Sequence, residues 1–241
     1  MTLRTQLFAA AATVALFAPP ASATLQISGL VGGIAVQCAD GQACDLNPNP
    51  NQLSIGDTTV GGVQFIGSSQ TQVNGSLGGA PNSLNTSSFQ IINNSGGDVD
   101  ITLAVGGTGF TSPTSTFSAS GSGTFQSAIG SDIHLGFFGD TGNNQGADTP
   151  TDTPGVELAS FDHAATLATD AFATNQPGVF ETTGPFSMTL FASGTIVNGG
   201  SLVGRTQAII SDVVAVPEPG SLGMMLVGLT GLYYARRRRL I

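Results

Sequence analysis

Positive charge is what this chain has least of. Its 241 residues include no lysine and six arginines against 15 acidic residues, a formal net charge of −9. Between Thr24 and Val216 only Arg205 faces 14 acids, a local balance of 13 negative charges. Such a surface repels phosphate backbones and excludes nucleic acid as a partner. Tryptophan is absent, which removes a common stacking platform of sugar-processing clefts. Glutamate is limited to Glu157, Glu181 and Glu218, whereas Gly (34) and Pro (12) are abundant. Helical bundles and coiled coils are excluded on those grounds.

Catalytic signatures are equally scarce. No G-x-S-x-G, G-x-G-x-x-G, Walker A, H-E-x-x-H or C-x-x-C occurs. The histidines are His134 and His163. Asp162 precedes His163 and invites a Ser-His-Asp reading, but neighbours in a strand point to opposite faces. We therefore expect no catalytic residues and no enzyme. An extracellular hydrolase with two carboxylates brought together in space is the second alternative.

The two ends carry addresses. Residues 1–23 place Arg4 before an apolar run from Leu7 to Ala18, then Ala21-Ser22-Ala23 ahead of Thr24. That is the pattern of a cleaved secretory signal peptide, handled by the secretion machinery and signal peptidase. The other end holds Val216, Pro217, Glu218 and Pro219, then 16 uncharged residues from Gly220 to Ala235, then Arg236, Arg237, Arg238 and Arg239. As a helix the uncharged run is about 24 Å long, a single transmembrane helix on the short side. Tyr233 and Tyr234 fall at its interface, and the arginines hold the tail in the cytoplasm.

This tail resembles the PEP-CTERM sorting signal: a Val-Pro-Glu-Pro motif, a short apolar helix and a terminal basic cluster in fixed order. The resemblance implies recognition by a membrane-embedded exosortase, removal of the tail, and release or attachment at the cell surface, in a system that accompanies exopolysaccharide and biofilm production. The segments Asn93 to Asp100 and Thr183 to Leu190 are loosely similar to ones seen ahead of this tail in other β-rich exported proteins. The expected domains are a signal peptide (1–23), an exported domain (24–215) and the sorting signal (216–241).

In an exported chain, Cys38 and Cys44 read as a disulfide closing a five-residue loop. So short a loop stabilises by only about 2 kcal/mol.

The middle alternates with a period of two. Val99, Ile101, Leu103 and Val105 face one way; Ile133, Leu135 and Phe137 repeat the pattern, as do Phe186, Met188 and Leu190. Further strands are expected at 25–37, 62–74, 88–93, 115–127, 194–203 and 205–215, with Gly-Gly and Asn-Gly clusters as turns. The predicted fold is all-β, an antiparallel β-sandwich with long polar loops. Residues 156–173 are expected to form one short helix, with Leu158, Phe161, Ala165 and Phe172 on one face. Residues 140–154 are expected as a polar loop, and the Ser/Thr/Gly tract from Thr111 to Gly123 as an edge strand or a mobile loop.

Calcium is the one cofactor to weigh. Asp45, Asn47 and Asn49 match the first alternate ligand positions of an EF-hand-type loop, but Pro50 and Gly56 stand where Gly and a bidentate Glu belong. Asp140, Asn143, Asn144, Asp148 and Asp152 offer a second, irregular set. Turn chemistry explains both sets without an ion, so the expected cofactor is none. The resulting expectation is a surface or extracellular-matrix protein with a structural or adhesive role in exopolysaccharide. A calcium-dependent carbohydrate- or protein-binding module is the first alternative.

Overall fold

A computed structural model describes residues 24–72, 81–111 and 114–211. The two terminal addresses lie outside these residues. Among the described residues there are twelve strands and no helix: β1 (Leu25–Val31), β2 (Ile34–Ala39), β3 (Gln52–Val60), β4 (Val63–Gln72), β5 (Asn82–Asn93), β6 (Val99–Phe110), β7 (Thr114–Gln126), β8 (Asp132–Asp140), β9 (Val156–Ala164), β10 (Thr169–Thr182), β11 (Phe186–Ile196) and β12 (Ser201–Ser211). They make two six-stranded antiparallel sheets, β2-β1-β6-β11-β8-β9 and β10-β7-β12-β5-β4-β3. Among the described residues, no helix is long and apolar enough to cross a membrane.

The two sheets enclose one apolar core. The expected inward residues of β6, β8 and β11 are all buried in it, from Val99 and Ile101 to Met188 and Leu190. β1–β2 and β3–β4 are hairpins closed by two glycines each, Gly32-Gly33 and Gly61-Gly62, all with positive φ. Two consecutive positive φ values make the type I′ turn whose twist suits a two-residue hairpin.

Residues 156–173 are not a helix. They form β9, a turn and the start of β10, and the turn carries the chain from the first sheet to the second. Backbone pairing of β9 with β8 overrides the weak helical spacing. Phe161 and Phe172 still meet, with ring centroids 5.8 Å apart, but across the turn rather than along a helix face. Asp170 ties the turn down by accepting from the N–H groups of Thr166 (2.8 Å) and Leu167 (3.2 Å). The Thr166 N–H is the largest influence holding the Asp170 carboxyl below the ordinary aspartate range, against an opposing desolvation.

Two of the expected strands are divided by turns. Residues 25–37 span the β1–β2 hairpin, and 194–203 cross the turn between β11 and β12 at Gly199. From Thr114 on, the Ser/Thr/Gly tract is neither an edge nor a loop: it belongs to β7, held between β10 and β12. Of the loop expected at 140–154, Asp140 ends β8, and residues 141–155 are strand-free and lie over the outer face of the first sheet. There Gln26 Nε2 donates to Ala147 O at 3.0 Å, and the Gly109 N–H donates to Asn143 Oδ1 at 2.8 Å.

Candidate functional site

The hydroxyl and amide side chains of the second sheet converge on its outer face. Along β7 every second residue points inward, giving Phe117, Ala119, Gly121, Gly123 and Phe125; the others, Thr116, Ser118, Ser120, Ser122 and Thr124, face out. The inward residues are small at mid-strand. A Cβ on Gly121 would come within 2.6 Å of Leu135 Cδ1 of the facing sheet. Aromatic rings from neighbouring strands cover the glycines: Phe172 is paired with Gly123, and Phe89 with Gly204. Small residues beneath the centre let this sheet sink towards the core, and its outer face is hollowed at that place.

The hollow is a groove of about 500 Å³. One lateral row of polar side chains crosses all six strands: Asn175, Ser120, Gln207, Asn85, Gln70 and Gln52 are successive cross-strand partners, and the middle four line the groove. At about 4.8 Å per strand the row is about 24 Å long. The side chains of Ser120, Gln207 and Gln70 make no hydrogen bond to described residues, so their donors and acceptors face solvent. A second row passes Ala173, Ser122 and Arg205 to a bulge at Ser87 and Ser88. Arg205 Nε lies 3.3 Å from Ser122 Oγ as a donor.

Electrostatically the groove is the exception in an acidic protein. Its lining holds no carboxylate and the single cation of the described residues. Arg205 is exposed and makes no ion pair with a described acid. Sequence reasoning counted Arg205 as a charge but did not place it. The signal for the site was the strict hydroxyl alternation of Thr116 to Thr124, which spelled low complexity rather than a face.

The expected site residues sort as follows. Val216 to Pro219 and Arg236 to Arg239 lie outside the described residues. Cys38 and Cys44 are joined in a disulfide. Asp45, Asn47 and Asn49 are adjacent, and their spacing of two serves consecutive Asx turns. Asp45 Oδ1 accepts from the N–H groups of Asn47 (2.9 Å) and Ser54 (3.0 Å), and Asn47 Oδ1 from that of Asn49 (3.0 Å). Desolvation alone would raise the Asp45 pKa, but the donors on Ser54, Asn47 and Gly41 outweigh it and hold the carboxyl below its ordinary range. Asp140 is used in the same way, accepting from the N–H groups of Gly142 and Asn144 at 2.9 Å each. Among the described residues, no three His, Cys, Asp or Glu side chains group as metal ligands.

Both histidines meet an aspartate. His134 Nδ1 lies 2.8 Å from Asp162 Oδ1, and His163 Nε2 lies 3.1 Å from Asp170 Oδ1. Each pair joins strand neighbours or spans one turn, and no described hydroxyl hydrogen-bonds either imidazole. His163 stacks among Phe125, Phe161 and Phe172, with centroids 5.1–6.3 Å away. Its surroundings are a packed aromatic edge rather than a cleft.

Comparison with known proteins bears on the tail and the fold separately. The PEP-CTERM protein-sorting motif matches residues 215–239. The chain thus carries the signal of an exosortase-processed exported protein, anchored in the membrane before processing. No curated protein matches the chain in sequence. Three solved structures resemble the described domain remotely. They are TmCBM61 in complex with β-1,4-galactotriose (13% identity, 70% of this chain and 88% of that chain, TM-score 0.29), the enzymatically active domain of tailspike protein 4 from bacteriophage CBA120 (13%, 70% and 20%, 0.32), and infectious bursal disease virus strain Gx (16%, 90% and 55%, 0.32).

Proposed function

We propose that this chain is a non-enzymatic surface or matrix protein that holds polysaccharide in the groove on its second sheet. The observation that carries the reading is the row from Asn175 to Gln52. Six consecutive strands each present an amide or a hydroxyl at one lateral level, and the four central members, Ser120, Gln207, Asn85 and Gln70, line a groove without carboxylates. Side-chain amides both donate and accept, which suits the paired hydroxyls of a sugar chain lying across the strands. Without aromatic stacking the affinity per sugar is low, so binding depends on the length of chain engaged. That is the behaviour expected of an adhesive rather than a transport protein. The sorting motif supports export, anchoring and processing by an exosortase, and to these the reading adds cleavage near Pro217-Glu218-Pro219 and residence at the surface or in the matrix.

Affinity electrophoresis of the full chain in neutral detergent, through gels containing the host's exopolysaccharide, tests the groove. Retardation of the wild type is expected, with loss on the double change Gln70→Ala and Gln207→Ala. Unchanged retardation in the double variant would remove the groove from the account. The sorting half is tested by intact mass and location in the host, with and without Pro217, Glu218 and Pro219 replaced by alanine. A wild-type form that begins near Thr24, ends near Val216 and occurs in the matrix is expected. Retention of Arg236 to Arg239 in both strains would make the tail a plain anchor.

A further inference from the structure

We infer that the ligand of this groove is a polysaccharide with anionic groups at sparse intervals, one of which is gripped by Arg205. The inference rests on the proposed glycan-binding role of the groove and adds the class of glycan. A guanidinium in a chain with a large acidic excess would ordinarily be paired with a carboxylate. Arg205 is not: its side chain donates Nε to Ser122 Oγ, and no described acid lies within ion-pair distance. That bond is made by Nε and leaves the two terminal NH₂ groups for a ligand. A planar fork with unspent donors matches the two oxygens of a carboxylate, or those of a sulfate ester.

The surroundings set the spacing. On either side of Arg205 the lining is neutral, with Ser122, Ser87, Ser120, Gln207, Asn85 and Gln70. These groups satisfy hydroxyls, and none can neutralise a second anion. Beyond the groove the stretch from Thr24 to Val216 is acidic, so a polymer charged on every sugar meets one cation there and many carboxylates. One anion among several neutral sugars is what a single arginine within a long amide row selects. A dense polyanion is selected against.

Titration of the full chain in neutral detergent and about 0.15 M salt, with Arg236, Arg237, Arg238 and Arg239 changed to Gln in every sample so that the tail attracts no polyanion, tests this with gellan, which has one uronate per tetrasaccharide repeat, and with carboxyl-reduced gellan. The wild type is expected to prefer the acidic polymer by about tenfold. Arg205→Gln is expected to abolish the preference while leaving affinity for the reduced polymer within about twofold. Polygalacturonate, charged on every sugar, is expected to bind more weakly than gellan. A galactan carrying sparse sulfate esters distinguishes the two anions: whichever polymer Arg205→Gln weakens more is the one the fork takes. Equal wild-type affinity for acidic and reduced gellan, or a preference that survives in Arg205→Gln, overturns the role of Arg205 while the groove stands. Tighter binding of polygalacturonate overturns the sparse spacing. Failure of every polymer to bind sinks the groove reading itself.

Discussion

Thr86 and Thr206 stand side by side beneath the groove, and the side chain of one takes the place of a backbone acceptor for the other. The Thr206 N–H donates to Thr86 Oγ1 at 2.7 Å, and the two hydroxyl oxygens are 3.0 Å apart. The pairing register of β12 with β5 shifts at this point, where β5 bulges and brings Ser87 into the groove lining. A bulge leaves a ladder donor without its usual carbonyl. Here a buried hydroxyl satisfies it.

Replacing Thr86 by Val keeps the shape and removes that acceptor. The expected loss is about 1–3 kcal/mol, the cost of a buried amide left unpaired. Thr86→Ser is expected to recover most of it. Urea unfolding of both variants checks the point, and equal stability of Thr86→Val and wild type would refute it.

Asp45, Asp140 and Asp170 all have carboxyls held below the ordinary aspartate range by backbone donors. A depressed native pKa means the unfolded chain takes up protons first as pH falls. The stabilisation is therefore complete above the ordinary aspartate value and lost as pH drops through the native one. Melting temperature is expected to be flat near neutrality and to fall steeply below about pH 4. The double variant Asp45→Asn, Asp170→Asn should melt lower at pH 7 and show a shallower acid slope. An unchanged acid slope would count against these turns as its source.

Gly106 faces the loop at 141–155, and a Cβ there would collide with the Gly146 carbonyl. Gly106→Ala is expected to lift the loop from the first sheet while leaving the groove on the opposite side intact. Limited proteolysis should then cut within 141–155 at a rate well above wild type, with polysaccharide retardation unaltered. Protection equal to wild type would mean that the loop shifts sideways to accommodate the methyl group.

Reducing the Cys38–Cys44 bond, or replacing both cysteines by alanine, is expected to cost about 2 kcal/mol because the loop is short. Asp45 continues to tie the same loop to β3 through the Ser54 N–H. Thermal melts with and without reductant measure the difference. A loss large enough to unfold the domain at 25 °C would show that the bond does more than staple a turn.

The inward faces of β6, β8 and β11 were legible because their apolar residues alternate without interruption. β9 was not. A bulge between Ala159 and Glu157 breaks its period, so Leu158 and Phe161 fall at a helical spacing. β3 was hidden in the same way by a register shift after Ile55. The groove was the least visible part. Its row joins residues from Gln52 to Gln207, and lateral register across six strands is set by turns and bulges rather than by any local pattern. Arg205 could be counted from composition, but that no described acid pairs with it is a property of the fold alone.

β12 is the last described strand, yet it lies inside its sheet, between β7 and β5. Arg205, Thr206 and Gln207 of the groove wall arrive with it. A chain threading outwards amino end first therefore cannot close this sheet until residues 201–211 have crossed the membrane. By then Val216 to Pro219 follow only a few residues behind. Completion of the fold and presentation of the sorting motif are thus timed together, and a nascent chain stalled short of β12 exposes two unmatched strand edges instead of a weaker binding protein.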